Sequence, residues 1–197
     1  MRVRTLESEL WLPYKLEEVF AFFADAGNLE RITPPWLKFE VLTPTPVTMK
    51  TGARIDYRLR VHGLPLRWQS EITAWAPPLR FVDAQVRGPY RVWRHEHLFQ
   101  EKDGGTLCLD RVHYAVPGGA MLDRLFVRRD LDQIFRFRRR RLREIFAEQS
   151  PDGVERFGFS EEATTGLDSQ SLSPNRRAFM RLHCGSREEN SRSAQSP

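Results

Sequence analysis

The sequence is poor in cysteine, in lysine and in long apolar runs. Its 197 residues include two cysteines, Cys108 and Cys184, which are too few for a disulfide framework and favour a reducing environment. No stretch approaches the roughly 18 consecutive apolar residues that a membrane-spanning helix requires. Charges among residues 1–9 interrupt the apolar run that a signal peptide would need. We therefore expect a cytoplasmic protein with no integral membrane segment.

The positive charge comes almost entirely from arginine, with 27 arginines, four lysines and a formal net charge of +5. A charge this modest and dispersed is a weak argument for nucleic-acid binding, so no nucleic-acid partner is expected. The sequence also has no glycine-rich phosphate loop, no zinc-type cysteine pattern and no catalytic triad of specific spacing. Motifs alone therefore predict neither a cofactor nor a metal ion.

The composition changes near residue 150. Aromatic and branched apolar residues recur throughout residues 1–150, whereas Ser, Thr, Gly, Asn and Gln dominate residues 151–197. Such a segment buries too little apolar area to offset the entropy of ordering it. We predict one folded domain over residues 1–150 and a mostly disordered polar tail over residues 151–197.

Apolar periodicity within the predicted domain indicates an α+β fold. Residues 3–12 alternate as a strand, residues 16–24 have helical spacing and a short helical turn follows at 28–32. A long helix covers about residues 120–149. Between these helices the period is two, in strands separated by short turns that permit only antiparallel neighbours. These strands are predicted at residues 39–43, 53–62, 66–75, 80–87, 90–100 and 106–116. The prediction is a curved antiparallel sheet of about seven strands, with two short helices after the first strand and a long C-terminal helix packed across its concave face.

Several sequence strings resemble a bacterial ligand-binding subfamily of the START-like, or SRPBCC, helix-grip superfamily. They are NLERITPPWL at 28–37, GARIDYRL at 52–59, PLRW at 65–68, RFVDAQ at 80–85, GPY at 88–90 and WRHEHLF at 93–99. The resemblance implies the helix-grip fold over roughly residues 3–148, on a scaffold that hosts binders, lipid-transfer proteins and polyketide cyclase/dehydrase-type enzymes. Relatives of this kind also occur fused to an NAD-epimerase-like domain. An epimerase-like protein is therefore a possible partner, of a monomer or a dimer.

Turn lengths predict which side chains face the interior. A tight loop at Gly88 and Pro89 pairs Asp83 with Arg94 and places the Asp83 side chain on the outer face of the sheet. The turn at Asp103 brings His97 near Asp110. The residues predicted to line a ligand cavity are Trp68, Val82, Ala84, Trp93, His95, His97, Phe99, Asp110, Val112, Tyr114 and Ile134. The residues predicted at its entrance are Pro35, Trp36 and Leu64.

His95, His97 and Asp110 are anomalous in this otherwise apolar wall. Each would cost roughly 1–3 kcal/mol if it were buried without a partner. Three interpretations remain open: a cluster that satisfies its own hydrogen bonds, a ligand-orienting or acid–base site in which Asp110 fixes a histidine tautomer, and a metal site. A third strong ligand beside the His-x-His pair is not evident, so no metal is assigned.

The leading functional hypothesis is binding, transport or sequestration of a mostly hydrophobic small molecule. One alternative is a cyclase or dehydratase that uses a cavity histidine as general acid–base, with His95, His97 and Asp110 as catalytic candidates. Another is a regulatory module that binds a protein or an anionic membrane through the arginines at 138–141. These arginines are interpreted as a solvated face, although Arg138 lies on the apolar stripe and an acidic partner inside the cavity mouth is the alternative.

Overall fold

A computed structural model of the chain describes residues 2–118, 121 and 123–149. The strands within these residues are β1 (Arg4–Leu12), β2 (Glu40–Val41), β3 (Arg54–Val61), β4 (Leu64–Ala76), β5 (Arg80–Arg87), β6 (Val92–Lys102) and β7 (Gly105–Ala115). The helices are α1 (Leu16–Ala24) and α2 (Arg128–Gln149), with 3-10 segments at Ala26–Ile32 and Pro35–Leu37. The polar tail predicted over residues 151–197 lies outside the described residues.

The seven strands of the described chain form one antiparallel sheet in the order β1-β7-β6-β5-β4-β3-β2. Tight turns account for two of the neighbouring pairs. The turn between β3 and β4 has positive φ at His62 and Gly63, and the turn between β6 and β7 has positive φ at Asp103 and Gly104, as two-residue hairpin loops require. The predicted α+β fold with its antiparallel meander is confirmed.

The main core lies between α1 and the sheet. Phe20 and Phe23 of α1 pack edge-on against Phe99 of β6, with ring centres 5.4 and 5.0 Å apart. The far end of α2 completes this core with Leu142 and Ile145, both fully buried. Phe99 was predicted to line the ligand cavity, but it belongs to this packed core.

The other half of α2 covers β7. Leu131 and Phe135 pack against Val112 and Tyr114 in a second apolar cluster. This α-helix begins at Arg128, directly after a π-helical turn at Asp123–Val127, and Met121 before that turn is also helical. None of the described helices is long and apolar enough to cross a membrane.

The register between β5 and β6 differs from the predicted one. Asp83 pairs with His95, and Ala84 pairs with Arg94. The connection is longer than a two-residue loop because β6 begins only at Val92. A shift of one residue exchanges the two faces of a strand, so Asp83 lies on the inner face with the histidines. The predicted Asp83–Arg94 pairing is wrong.

Candidate functional site

A cavity of about 750 Å³ lies between the sheet and α2. Its walls come from the inner faces of β3, β4, β5 and β6, from the first half of α2 and from the two 3-10 segments. Most of the lining is apolar, as in the side chains of Ile32, Ile55, Leu59, Leu66, Trp68, Ile72, Trp93, Leu131, Ile134 and Phe135. A space of this size, largely apolar and bounded on several sides, has the dimensions of a small-molecule site.

Some of the side chains predicted for the cavity do line it. They are Trp68, Trp93, His95, His97 and Ile134, together with Trp36 of the predicted entrance. Their neighbours Pro35 and Leu64 are exposed and do not line the cavity. Trp36 is half-exposed and packs edge-on against Phe137 of α2, with ring centres 5.6 Å apart.

The remaining predicted lining residues lie elsewhere for two reasons. Val82 and Ala84 are on the opposite face of β5, because the predicted register was off by one residue. Val112 and Tyr114 do face inward, but α2 packs directly on them and leaves no space. Asp110 also faces inward and lies behind the two imidazoles, outside the cavity lining.

Four side chains at one end of the cavity, Asp83, His95, His97 and Asp110, form what we call the polar cluster. Nε2 of His95 and Oδ1 of Asp110 are 2.8 Å apart and form a hydrogen bond. Nδ1 of His97 lies 2.9 Å from the same oxygen, but without the alignment of a hydrogen bond. The two imidazole ring centres are only 3.8 Å apart. Asp110 therefore supports both histidines from behind.

Asp83 approaches the same histidines from the cavity side. Its Oδ2 is 3.4 Å from Nε2 of His97 and 3.6 Å from Nδ1 of His95. Its Oδ1 accepts a long hydrogen bond of 3.4 Å from Ser70, whose Oγ lies 2.7 Å from the Tyr57 hydroxyl. The polar cluster is thereby extended across β4 to β3 at the cavity wall.

Arg138 of α2 reaches the polar cluster from the opposite wall. It lines the cavity and is half-buried, its guanidinium packs over the ring of Phe23 at 5.4 Å, and its buried Nε has no hydrogen-bond partner among the described residues. Its charge lowers the pKa of both Asp83 and Asp110. The interpretation of Arg138 as part of a solvated face is wrong, because it points into the cavity.

The environment separates the pKa values of the polar cluster. Burial opposes ionisation of Asp110, but Arg138 and the imidazoles outweigh it and hold the pKa of Asp110 well below its usual value. For Asp83 the same balance lowers the pKa to a smaller extent. Burial and the neighbouring His97 lower the pKa of His95, whereas close contacts with Asp110 and Asp83 overcome burial and raise the pKa of His97. Both aspartates are therefore charged at neutral pH.

Four functional candidates were missing from the set predicted to line the cavity. Tyr57, Ser70, Asp83 and Arg138 all line it. Tyr57 alternates with exposed charged residues along β3, which is a signal for an inward side chain. Ser70 alternates in the same way between Trp68 and Ile72 along β4, and all three are buried and line the cavity.

Comparisons with known proteins place this fold in a family. Residues 12–142 match the family described as polyketide cyclase / dehydrase and lipid transport. The chain belongs to that family. The resemblance to SRPBCC proteins expected from the sequence is thereby confirmed. No curated protein sequence matches the chain.

Solved structures with low sequence identity share the fold of this chain. The Zhui aromatase/cyclase from Streptomyces sp. R1128 superposes with a TM-score of 0.61 at 15% identity, over 78% of this chain and 100% of that one. Protein Ms6760 from Mycobacterium smegmatis gives 0.58 at 18% identity, over 76% and 99%. A nucleoside-diphosphate sugar epimerase from Corynebacterium glutamicum gives 0.52 at 24% identity, over 71% of this chain and 28% of that longer one. At these identities the likeness shows the fold alone.

Proposed function

We propose that this protein binds a mostly apolar small molecule in the cavity between the sheet and α2. The observation that carries the proposal is the volume of about 750 Å³ enclosed by mainly apolar side chains. Apolar walls contribute affinity at ~25 cal/mol for each Å² of ligand surface removed from water. A lipid, a polyketide or an isoprenoid-like compound has this character, and transport or sequestration would need no further chemistry. A cytoplasmic location and the oligomeric state stay predictions.

The polar cluster orients such a ligand. Asp83, His95 and His97 all border the cavity at one end, where Tyr57 adds a hydroxyl and Arg138 a cationic group. A few hydrogen-bonding groups on an otherwise apolar wall select the direction in which an amphiphilic molecule enters. We therefore expect a ligand with an apolar body and one oxygen-bearing end.

The experiment is native mass spectrometry of the freshly purified full chain, followed by titration of the delipidated protein with an environment-sensitive apolar dye. We expect a co-purifying small molecule or saturable dye binding with one site per chain. The same molecule should displace the dye. A protein that arrives empty and shows no saturable dye binding contradicts the proposal.

The enzyme alternative uses the same cavity and is decided by the double variant His95→Gln/His97→Gln. A pure binding protein keeps saturable dye binding in this variant, whereas a cyclase or dehydratase keeps dye binding but loses turnover.

The regulatory alternative has less support, because the helix arginines do not form one free cationic face. Arg139 donates a hydrogen bond of 2.9 Å to Ser8, and Arg141 donates one of 3.1 Å to Glu144.

A further inference from the structure

Three side chains at the cavity wall present metal-ligand atoms to one another. Oδ2 of Asp83, Nδ1 of His95 and Nε2 of His97 belong to adjacent strands, and a set of one ligand atom from each residue lies within 4.8 Å. Asp83 therefore occupies the position of a third ligand beside the His-x-His pair. It was overlooked because the predicted register placed it on the outer face.

The two distances from Asp83 to the histidines suit ligands of one ion better than close hydrogen-bonded neighbours. Asp83 is 3.4 Å from His97 and 3.6 Å from His95, and a contact of 3.6 Å is too long for a hydrogen bond. Ligands bound to zinc at roughly 2.0–2.2 Å in near-tetrahedral geometry lie roughly 3.3–3.6 Å apart. Among the described residues, every hydrogen-bond or ion-pair contact of the Asp83 carboxylate is 3.4 Å or longer. A largely buried carboxylate is thereby left without a close partner on the side that faces the cavity.

The other nitrogens of the two histidines give an independent argument. Nε2 of His95 and Nδ1 of His97 lie 2.8 and 2.9 Å from Oδ1 of Asp110, which is outside the cavity lining. Metal-binding imidazoles in proteins almost always present their second ring nitrogen to a carboxylate, a carbonyl or water, which fixes the ring orientation. Both rings therefore have one nitrogen near Asp83 and one near Asp110, and His95 forms a hydrogen bond to Asp110.

We propose that Asp83, His95 and His97 bind a divalent transition-metal ion of the Zn²⁺ type at the polar end of the cavity. The local charge favours a cation, because two carboxylates and the Arg138 guanidinium sum to one negative charge when both imidazoles are neutral. Two imidazole nitrogens and one carboxylate oxygen form a donor set used in catalytic zinc sites, which keep further positions for water or substrate. Because the three ligating residues line the cavity, an ion here would meet the oxygen-bearing end of a bound molecule. The inference stands on these residues whether or not the cavity binds an apolar ligand.

The test is metal binding by the full chain after chelator treatment, followed by calorimetry with Zn²⁺ and by visible absorption with Co²⁺. We expect one ion per chain and Co²⁺ bands of low-symmetry, nitrogen-containing coordination. Asp83→Asn should weaken binding by more than about 100-fold, and Asp110→Asn by about 10–100-fold as a supporting group. The matched control replaces the three histidines outside the polar cluster, His62, His113 and His183, with Gln and should bind as the wild type does.

Two results would overturn the proposal. One is the absence of one-to-one uptake of either ion by the stripped protein, and the other is uptake that a folded Asp83→Asn variant retains at the affinity of the wild type. Should Asp83→Asn fail to fold, X-ray absorption spectroscopy of the Co²⁺-loaded wild type decides, since two imidazole ligands are expected and none would refute the site. Dye binding by the same metal-free protein separates the two proposals, because its failure bears only on the cavity and failure of metal uptake bears only on this site.

Discussion

The two aspartates of the polar cluster should contribute very differently to the stability of the metal-free protein. Asp83 and Asp110 are similarly buried, with side-chain exposures of 17% and 11%. Each is to be replaced singly by Asn, which keeps the shape and removes the charge. A difference between the two variants then reports on contacts rather than on burial.

The magnitude follows from the distances. Asp110 accepts a hydrogen bond of 2.8 Å from His95, lies 2.9 Å from His97 and is held in the charged form by Arg138. Losing a short contact to a charged group costs 1.5–3 kcal/mol and breaking a buried pair 3–5 kcal/mol, so we expect about 3 kcal/mol for Asp110→Asn. Asp83 has no contact shorter than 3.4 Å among those described, and its replacement should cost under about 1 kcal/mol.

Urea denaturation of the chelator-treated wild type and of both variants, at one pH near neutrality, measures these losses of unfolding free energy. The three curves are fitted with a common dependence of the free energy on urea concentration. The expected result is a much lower transition midpoint for Asp110→Asn and a nearly unchanged midpoint for Asp83→Asn. Equal losses would refute the inference, because they would mean that Asp83 has a close partner after all. Added Zn²⁺ should then widen the gap between the wild type and Asp83→Asn.

Three further predictions concern the cavity, the core and the outer face. Ile134→Trp should weaken binding of the apolar dye by about tenfold or more, because the larger ring occupies cavity space and a loss of roughly 60 Å² of buried dye surface is enough for a tenfold change. The control Arg136→Trp, at an exposed position of the same helix, should leave dye binding unchanged. Phe99→Ala should lower the free energy of unfolding by about 3–5 kcal/mol, because this ring packs in the core. The affinity for the dye should stay unchanged. Weakened dye binding by the folded variant would contradict the placement of Phe99 in the core. Glu96→Gln should cost about 2 kcal/mol at neutral pH, because Arg80 donates a hydrogen bond of 2.7 Å to the buried carboxylate. Burial opposes ionisation of Glu96, but contacts with arginines, Arg80 first, lower its pKa. This stability is therefore present above the unfolded pKa of about 4.3 and is lost as the pH falls through the lowered pKa of the folded protein. Urea midpoints of the two proteins should converge once the pH is below that folded pKa, and a gap that persists in strong acid would contradict the assignment.

Much of the fold could be predicted because its patterns are local. The helical spacing of residues 16–24 and the alternation of residues 80–87 gave the bounds of α1 and β5. The two-residue turn at Asp103 and Gly104 leaves only one pairing for β6 and β7. The predicted proximity of His97 and Asp110 is therefore confirmed.

The polar cluster could be predicted only in part, because the place of Asp83 depends on a side-chain contact within the β5–β6 connection. The Gln85 side chain donates a hydrogen bond of 2.7 Å to the Tyr90 carbonyl and accepts one of 3.2 Å from the Tyr90 amide. This contact stabilises a connection longer than a tight turn, which decides that Asp83 faces inward. No periodicity in the sequence records such a side-chain contact. The place of Arg138 could not be predicted either. It lies on the apolar stripe of the helix, but it also belongs to a run of arginines at 138–141 that is typical of a solvent-exposed face.

The loop from Gly88 to Arg91 has a consequence for how this scaffold diversifies. Because inward and outward positions alternate along β5, removing or adding one residue in the loop while β6 keeps its place would turn Val82 and Ala84 toward the cavity and Asp83 toward solvent. A single-codon deletion or insertion would thus replace the Asp83 carboxylate at the cavity wall with an apolar side chain of β5, while His95 and His97 on β6 keep their places. The length of this loop therefore decides which face of β5 borders the cavity, independently of which residues β5 carries.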